Sequence, residues 1–152
     1  MALRDLHDAE AALAERLPVV LAHAADPKFA DFIAADRERS VRQRAELDQL
    51  TRELGGDPHG EPCVWMRAVL DDADNDAATI SAGPLRDIAL AGALRKGKQS
   101  ERVSYETALA LAERLELSEG AAALANIRGE EQAADEALAD LLLTLCRSVT
   151  SR

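Results

Sequence analysis

Four stretches of this chain repeat apolar residues at alternating spacings of three and four, the period of one helix face, and a polar or charged residue interrupts every stripe near its middle. The first stripe reads Leu3, Leu6, Glu10, Leu13, Leu17, Val20. The second reads Phe29, Ile33, Asp36, Ser40, Gln43, Leu47, Leu50, Leu54. The third reads Ala91, Leu94, Lys98, Glu101, Tyr105, Ala108, Ala112, Leu115, and the fourth Leu124, Ile127, Glu131, Ala134, Leu138, Leu141, Leu145. Asp135 follows one turn after Glu131, and Glu130 lies beside it. The pattern predicts four amphipathic helices around one core, with a polar layer inside that core.

The composition supports helix over strand. Ala and Leu dominate the 47% hydrophobic residues, aromatics are 3%, and only 8 Gly and 5 Pro punctuate 152 residues. A chain of this length buries one sizeable core, so an all-α single domain over 1–152 is expected. Its breaks have backbone reasons. Asp26-Pro27 reads as an N-cap followed by Pro at the first helical position, and Gly55-Gly56 as a helix stop before a turn-rich loop to Pro62. Gly83-Pro84 starts another helix, and Ser118 reads as an N-cap after the link Leu115 to Leu117. The resulting helices lie near 2–24, 27–54, 62–80, 84–115 and 118–147.

The links from the first helix to the second and from the fourth to the fifth are only a few residues, which makes each pair an antiparallel hairpin. Residues 55–83, carrying the short helix, are long enough to run the length of the bundle. One long central crossover predicts the ferritin-like connectivity of a four-helix bundle rather than simple up-down-up-down order.

Antiparallel hairpins bring the interrupted mid-points to one level. Carboxylates buried there without partners would each cost several kcal/mol, on the order given by transfer data, so the layer needs compensation. Two readings remain open. A pair of metal ions is the compensation in di-iron or di-manganese carboxylate bundles, with ligands from all four helices. An internal network of hydrogen bonds and ion pairs is the other.

Four segments, LRDLHDAEAAL (Leu3 to Leu13), CVWMRAVLDDA (Cys63 to Ala73), Asp87 to Leu115 and EEQAAD (Glu130 to Asp135), resemble in order and spacing the YciE/YciF-like family of bacterial stress proteins. The resemblance covers roughly 3–145 and implies a ferritin-like bundle with a dinuclear metal site. Glu10 matches the family's first-helix glutamate, and Glu130, Glu131 and Asp135 match its acidic motif in the last helix. The second helix departs. Where the family has a His, a Glu-Thr pair and Gln or His, this chain has Asp36, Arg39-Ser40 and Gln43. The family's Val-Glu-His-Tyr-Glu run is here Gly97-Lys98-Gln99-Ser100-Glu101, which retains only the last carboxylate.

If Fe or Mn is bound, the resemblance implies Glu10, Glu101, Glu131 and Asp135 as ligands, with Gln43 retained from the family and Asp36 and His7, by their inward spacing, as further completions, and redox chemistry on peroxide or dioxygen. The alternative is a metal-free structural or interaction protein in which Lys98 and Arg39 neutralise the site, because an ammonium among carboxylates keeps its proton and cannot ligate. His7 reads more readily as a helix-flank imidazole bonded to a carboxylate or carbonyl than as a ligand. Tyr105 reads as a structural hydrogen-bond donor to a carboxylate.

With 28 acidic against 18 basic residues the net charge is −10, and no Lys/Arg stretch is long enough to form a phosphate-binding stripe, so neither nucleic acid nor an anionic membrane is an expected partner. The sequence shows no signal peptide and no run of about 20 apolar residues, and a cytoplasmic protein is expected. Cys63 and Cys146 read as ordinary thiols. No phosphate loop or catalytic triad is present. A homodimer acting in stress physiology completes the expectation.

Overall fold

The computed structural model describes residues 2–149. Five helices follow one another: α1 (Ala2–His23), α2 (Pro27–Glu53), α3 (Val64–Thr79), α4 (Pro84–Arg114) and α5 (Ser118–Ser148). Asp26 caps α2 as its sequence suggests, its Oδ1 accepting from the Lys28 and Phe29 amides at 2.9 and 3.0 Å.

Two helices end in the same motif with different residues. After α2, Gly55 takes φ +75° and the Gly56 amide donates to Thr51 O, six residues closing into one turn. After α4, Leu117 N donates to Ala112 O in the same way, but the left-handed position is held by Glu116, φ +59°. Leu117 therefore occupies the N-cap position of α5, with no side-chain cap, and Ser118 is the first helical residue rather than the expected cap. The tight reversal fixes the register of α5 one residue earlier than cap chemistry suggested.

Pro18 lies inside α1, where it cannot donate to Ala14 O. Arg37 Nε of α2 donates to that carbonyl instead, at 3.2 Å. The helix continues because its neighbour supplies the missing donor.

Two apolar clusters define the topology. One gathers Leu17 and Val20 from the end of α1, Phe29 and Ile33 from the start of α2, Leu90 and Leu94 from the start of α4, and Leu138 and Leu145 from α5. The other gathers Leu6 of α1, Leu47 and Leu50 late in α2, Ala108 and Ala112 late in α4, and Leu124 and Ile127 early in α5. Hence α1 runs antiparallel to α2, α4 runs antiparallel to α5, and α2 and α4 point the same way. The chain between α2 and α4 must travel back along the bundle, and α3 lies on that path. It packs against its own bundle, with Met66, Leu70 and Ala73 in the first cluster. Trp65 Nε1 donates to Asp5 at 2.9 Å, Arg67 pairs with Asp8 at 2.8 Å, and Arg16 pairs with Asp71 at 2.8 Å.

The stripes read from sequence face inward except at their ends, where Leu54 and Leu115 are 47% and 66% exposed because their helices terminate there. Among the described residues no helix is long and apolar enough to cross a membrane.

Candidate functional site

Between the two apolar clusters lies the polar layer. Glu10 of α1, Asp36 of α2, Glu101 of α4 and Glu131 of α5 are all 0% exposed, and Lys98 of α4 is 1% exposed. Each is there because its stripe continues through mid-helix: spacings of three and four carry the inward face from Leu6 to Glu10, from Ile33 to Asp36, from Leu94 to Lys98 and from Ile127 to Glu131.

Lys98 stands in the middle. Its Nζ donates to Glu131 Oε2 at 2.7 Å and lies 2.9 Å from both Asp36 Oδ1 and Glu101 Oε2. The contact with Glu101 is within ion-pair distance but outside hydrogen-bond alignment, since Glu101 Oε2 has no hydrogen-bond partner. Arg39 closes the layer from its rim, donating to Asp36 Oδ1 at 2.5 Å. Tyr105 donates to Glu10 Oε1 at 2.7 Å. Gln43 donates to Glu130 at 2.9 Å, and Arg42 joins the same carboxylate at 3.1 Å.

Four carboxylates face two cations, so the layer is neutral only if two carboxyls hold protons. Burial pushes the Glu10 carboxyl up to about 7, and the Glu131 charge adds to the rise. Burial followed by Glu131 raises Glu101 well above the usual carboxylate range. Burial also raises Glu131, but the charge of Lys98 and its hydrogen bond outweigh this and hold it below its ordinary value. Asp36 is raised by burial and opposed by Lys98. Burial disfavours the Lys98 ammonium, yet Asp36, Glu101 and Glu131 outweigh burial and raise its pKa well above the usual value. Lys98 and Arg39 are placed to neutralise Asp36 and Glu131, while burial favours the protonated forms of Glu101 and, up to about neutral pH, of Glu10. Burial raises the Tyr105 hydroxyl well above its usual range, so it serves as a neutral donor.

Two residues expected in the layer lie outside it. Asp135 accepts from Arg95 Nε and Arg102 Nη1, each at 3.1 Å. Asp135 thus sits between two arginines, one three residues before Lys98 on α4 and one four residues after it, and pairs with them rather than with Lys98. His7 turns toward α2, with Nε2 3.8 Å from Asp48 and its ring edge-on to His59 at 5.6 Å between centroids. Burial and then the nearby Arg44 lower its pKa. His7 thus sits on the helix flank, with its ring near the Asp48 carboxylate but beyond hydrogen-bond distance.

The donor set does not fit a dinuclear centre. An ammonium already sits within 3 Å of three of the carboxylates, where a divalent ion would be repelled. The glutamate-plus-histidine pairing at i, i+3 is missing, for the residues three after Glu10, Asp36, Glu101 and Glu131 are Leu13, Arg39, Ser104 and Ala134. Among the described residues no three His, Cys, Asp or Glu side chains are grouped to hold a metal ion. Glu10 Oε2, Asp36 Oδ2, Glu101 Oε1, Glu131 Oε1 and Gln43 Oε1 nevertheless lack hydrogen-bond partners. Protons on Glu10 and Glu101 would supply two of the donors these oxygens need.

Sequence reasoning missed Asp87. Its carboxylate, 1% exposed, accepts from Ala25 N at 3.0 Å and Asp26 N at 2.7 Å, so α4 clamps the α1–α2 turn. An aspartate in a helix's first turn looks like a dipole partner, and nothing local marks it as a tertiary clamp.

Residues 1–149 match the family model described as "Domain of unknown function (DUF892)". Protein YciF of Escherichia coli K12 is 28% identical over 142 residues, covering 93% of this chain and 86% of the relative. The crystal structure of the E. coli stress protein YciF matches with a TM-score of 0.92 at 27% identity, covering 97% of this chain and 94% of that one. YcfI from Rhodopseudomonas palustris, for which a structural role has been suggested, matches with a TM-score of 0.85 at 27% identity, over 90% of this chain and 87% of that one.

Proposed function

We propose, from the premise that this chain belongs to the DUF892 family, that it is a ferritin-like stress-response bundle in which an internal lysine takes the place of metal. It acts as a structural or interaction protein rather than a metal-dependent oxidoreductase. The observation that carries this reading is the Lys98 ammonium, 2.7–2.9 Å from three carboxylates contributed by α2, α4 and α5. A buried charge in that position ties three helices together and supplies positive charge where a bound cation would otherwise stand. The description of YciF as a stress protein and the structural role suggested for YcfI support the same assignment.

Elemental analysis of tag-free protein, repeated after anaerobic incubation with Fe(II) and with Mn(II), tests it. Substoichiometric metal on a folded, helical protein is expected, and Lys98→Glu is expected to gain metal affinity. Retention of one or two ions per native chain would overturn the lysine reading. It would instead support a weakened Fe or Mn site, which the unpartnered oxygens of Glu10, Asp36, Glu101 and Glu131 favour. In either case the bundle is proposed to work in the cytoplasm as a homodimer, which analytical ultracentrifugation would test directly.

A further inference from the structure

The core opens at the end of the bundle where α1 and α5 begin and α2 and α4 finish. A cavity of about 450 Å3 lies there, walled by Leu3, Leu50, Ala108, Leu111, Leu115 and Leu124. None of the residues of the carboxylate layer lines it. Leu111 and Leu115, both more than half exposed, form its rim.

Two residues with polar side chains interrupt this apolar lining, and both belong to the wall made by the start of α1 and the end of α2. Thr51 is 6% exposed, and its Oγ1 has no hydrogen-bond partner. A buried hydroxyl left unpaired is destabilising, and a ligand oxygen would relieve it. Arg4 uses its Nε on the Asp57 carbonyl at 2.7 Å, which anchors the guanidinium at the cavity edge and leaves its two Nη groups available. In a chain with 28 acidic residues, no carboxylate among the described residues lines this space, and the one charged side chain among the described lining residues is a cation. At about 30 Å3 for each water-sized group, the volume holds about fifteen non-hydrogen atoms, within the usual range of small-molecule sites.

The geometry points to a binding site for a linear aliphatic carboxylate of about ten to twelve carbons, its head between Arg4 and Thr51 and its tail among the leucines. Isothermal titration of the full chain with submicellar sodium dodecanoate tests this. Saturable binding at one site per chain is expected. Ala108→Trp fills the cavity and should abolish it. Leu115→Glu changes only an exposed rim position, so it should fold normally and weaken binding about tenfold by placing a like charge at the mouth. Arg4→Gln and Thr51→Val should each weaken it about threefold to tenfold, and 1-dodecanol should bind more weakly than dodecanoate by a similar factor. Absence of saturable binding overturns the proposal, as does binding indifferent to both Ala108→Trp and Leu115→Glu. Equal affinity for the alcohol overturns the carboxylate assignment. Sedimentation showing two copies joined at this end, with no dodecanoate taken up, overturns it in favour of a second chain as the occupant.

Discussion

Replacing Lys98 by Met puts the charge arithmetic of the buried layer to the test. Met keeps much of the aliphatic stem that Lys98 packs at 1% exposure and removes only the ammonium. In the native protein Lys98 and Arg39 balance Asp36 and Glu131, so the variant leaves one buried negative charge without a counterion. Kept ionised, that charge costs about 3–5 kcal/mol, the range measured when one partner of a buried pair is removed. The alternative is to protonate Glu131, which costs about 1.4 kcal/mol for each pH unit above its unfolded pKa, or about 4 kcal/mol at about pH 7.5. Both routes give a loss of about 3–5 kcal/mol, a large part of the roughly 5–15 kcal/mol available to a domain. Only the protonation route depends on pH, and at about pH 5 it costs about 1 kcal/mol. Urea denaturation followed by far-UV circular dichroism at the two pH values should therefore show a deficit that shrinks several-fold on acidification. A loss below about 1 kcal/mol at the higher pH, or an equal loss at both, would refute the assignment of Lys98 as the counterion.

Glu10→Gln removes a carboxyl whose folded pKa is raised from 4.5 to about 7, while Gln Oε1 can still accept from Tyr105. Since the folded state holds that proton more tightly, its stabilisation is complete below about pH 4.5 and is lost as pH rises through about 7. The variant should match the native protein in acid and exceed it by about 3 kcal/mol at about pH 8 in urea titrations, whereas a pH-independent difference would contradict the sign. Asp87→Ala strips the acceptor from the Ala25 and Asp26 amides and should cost about 2–3 kcal/mol by thermal or chemical denaturation. Glu116→Gly relieves a left-handed non-glycine residue in a turn that α2 builds with Gly55, and should stabilise by about 1 kcal/mol in the same assay.

Much of the molecule was legible before any coordinates. Helix positions, the hairpins and the presence of a polar layer follow from the spacing of residues such as Leu6, Glu10 and Leu13, because a helix turns each side chain by a fixed angle and local order suffices to say which ones share a face. Asp36, Ser40, Gln43, Lys98, Glu101 and Glu131 were placed inside by this rule, and all are buried. Caps were legible where the side chain bonds its own helix, as at Asp26, and misleading at Ser118, where the backbone reversal through the left-handed Glu116 set the helix start.

The amino-acid sequence by itself therefore determined the helices, their inward faces and the level at which charge is buried. Only the tertiary structure decided which charges meet. Lys98 faces three carboxylates, Asp135 faces Arg95 and Arg102, His7 faces Asp48, and Arg37 completes the carbonyl that Pro18 leaves open. Those pairings depend on the axial offset and rotation between helices far apart in the chain. A shift of one turn, about 5.4 Å along an axis, exchanges the partner of every long side chain. Periodicity within one helix carries no information about that offset; the packing of all five helices sets it.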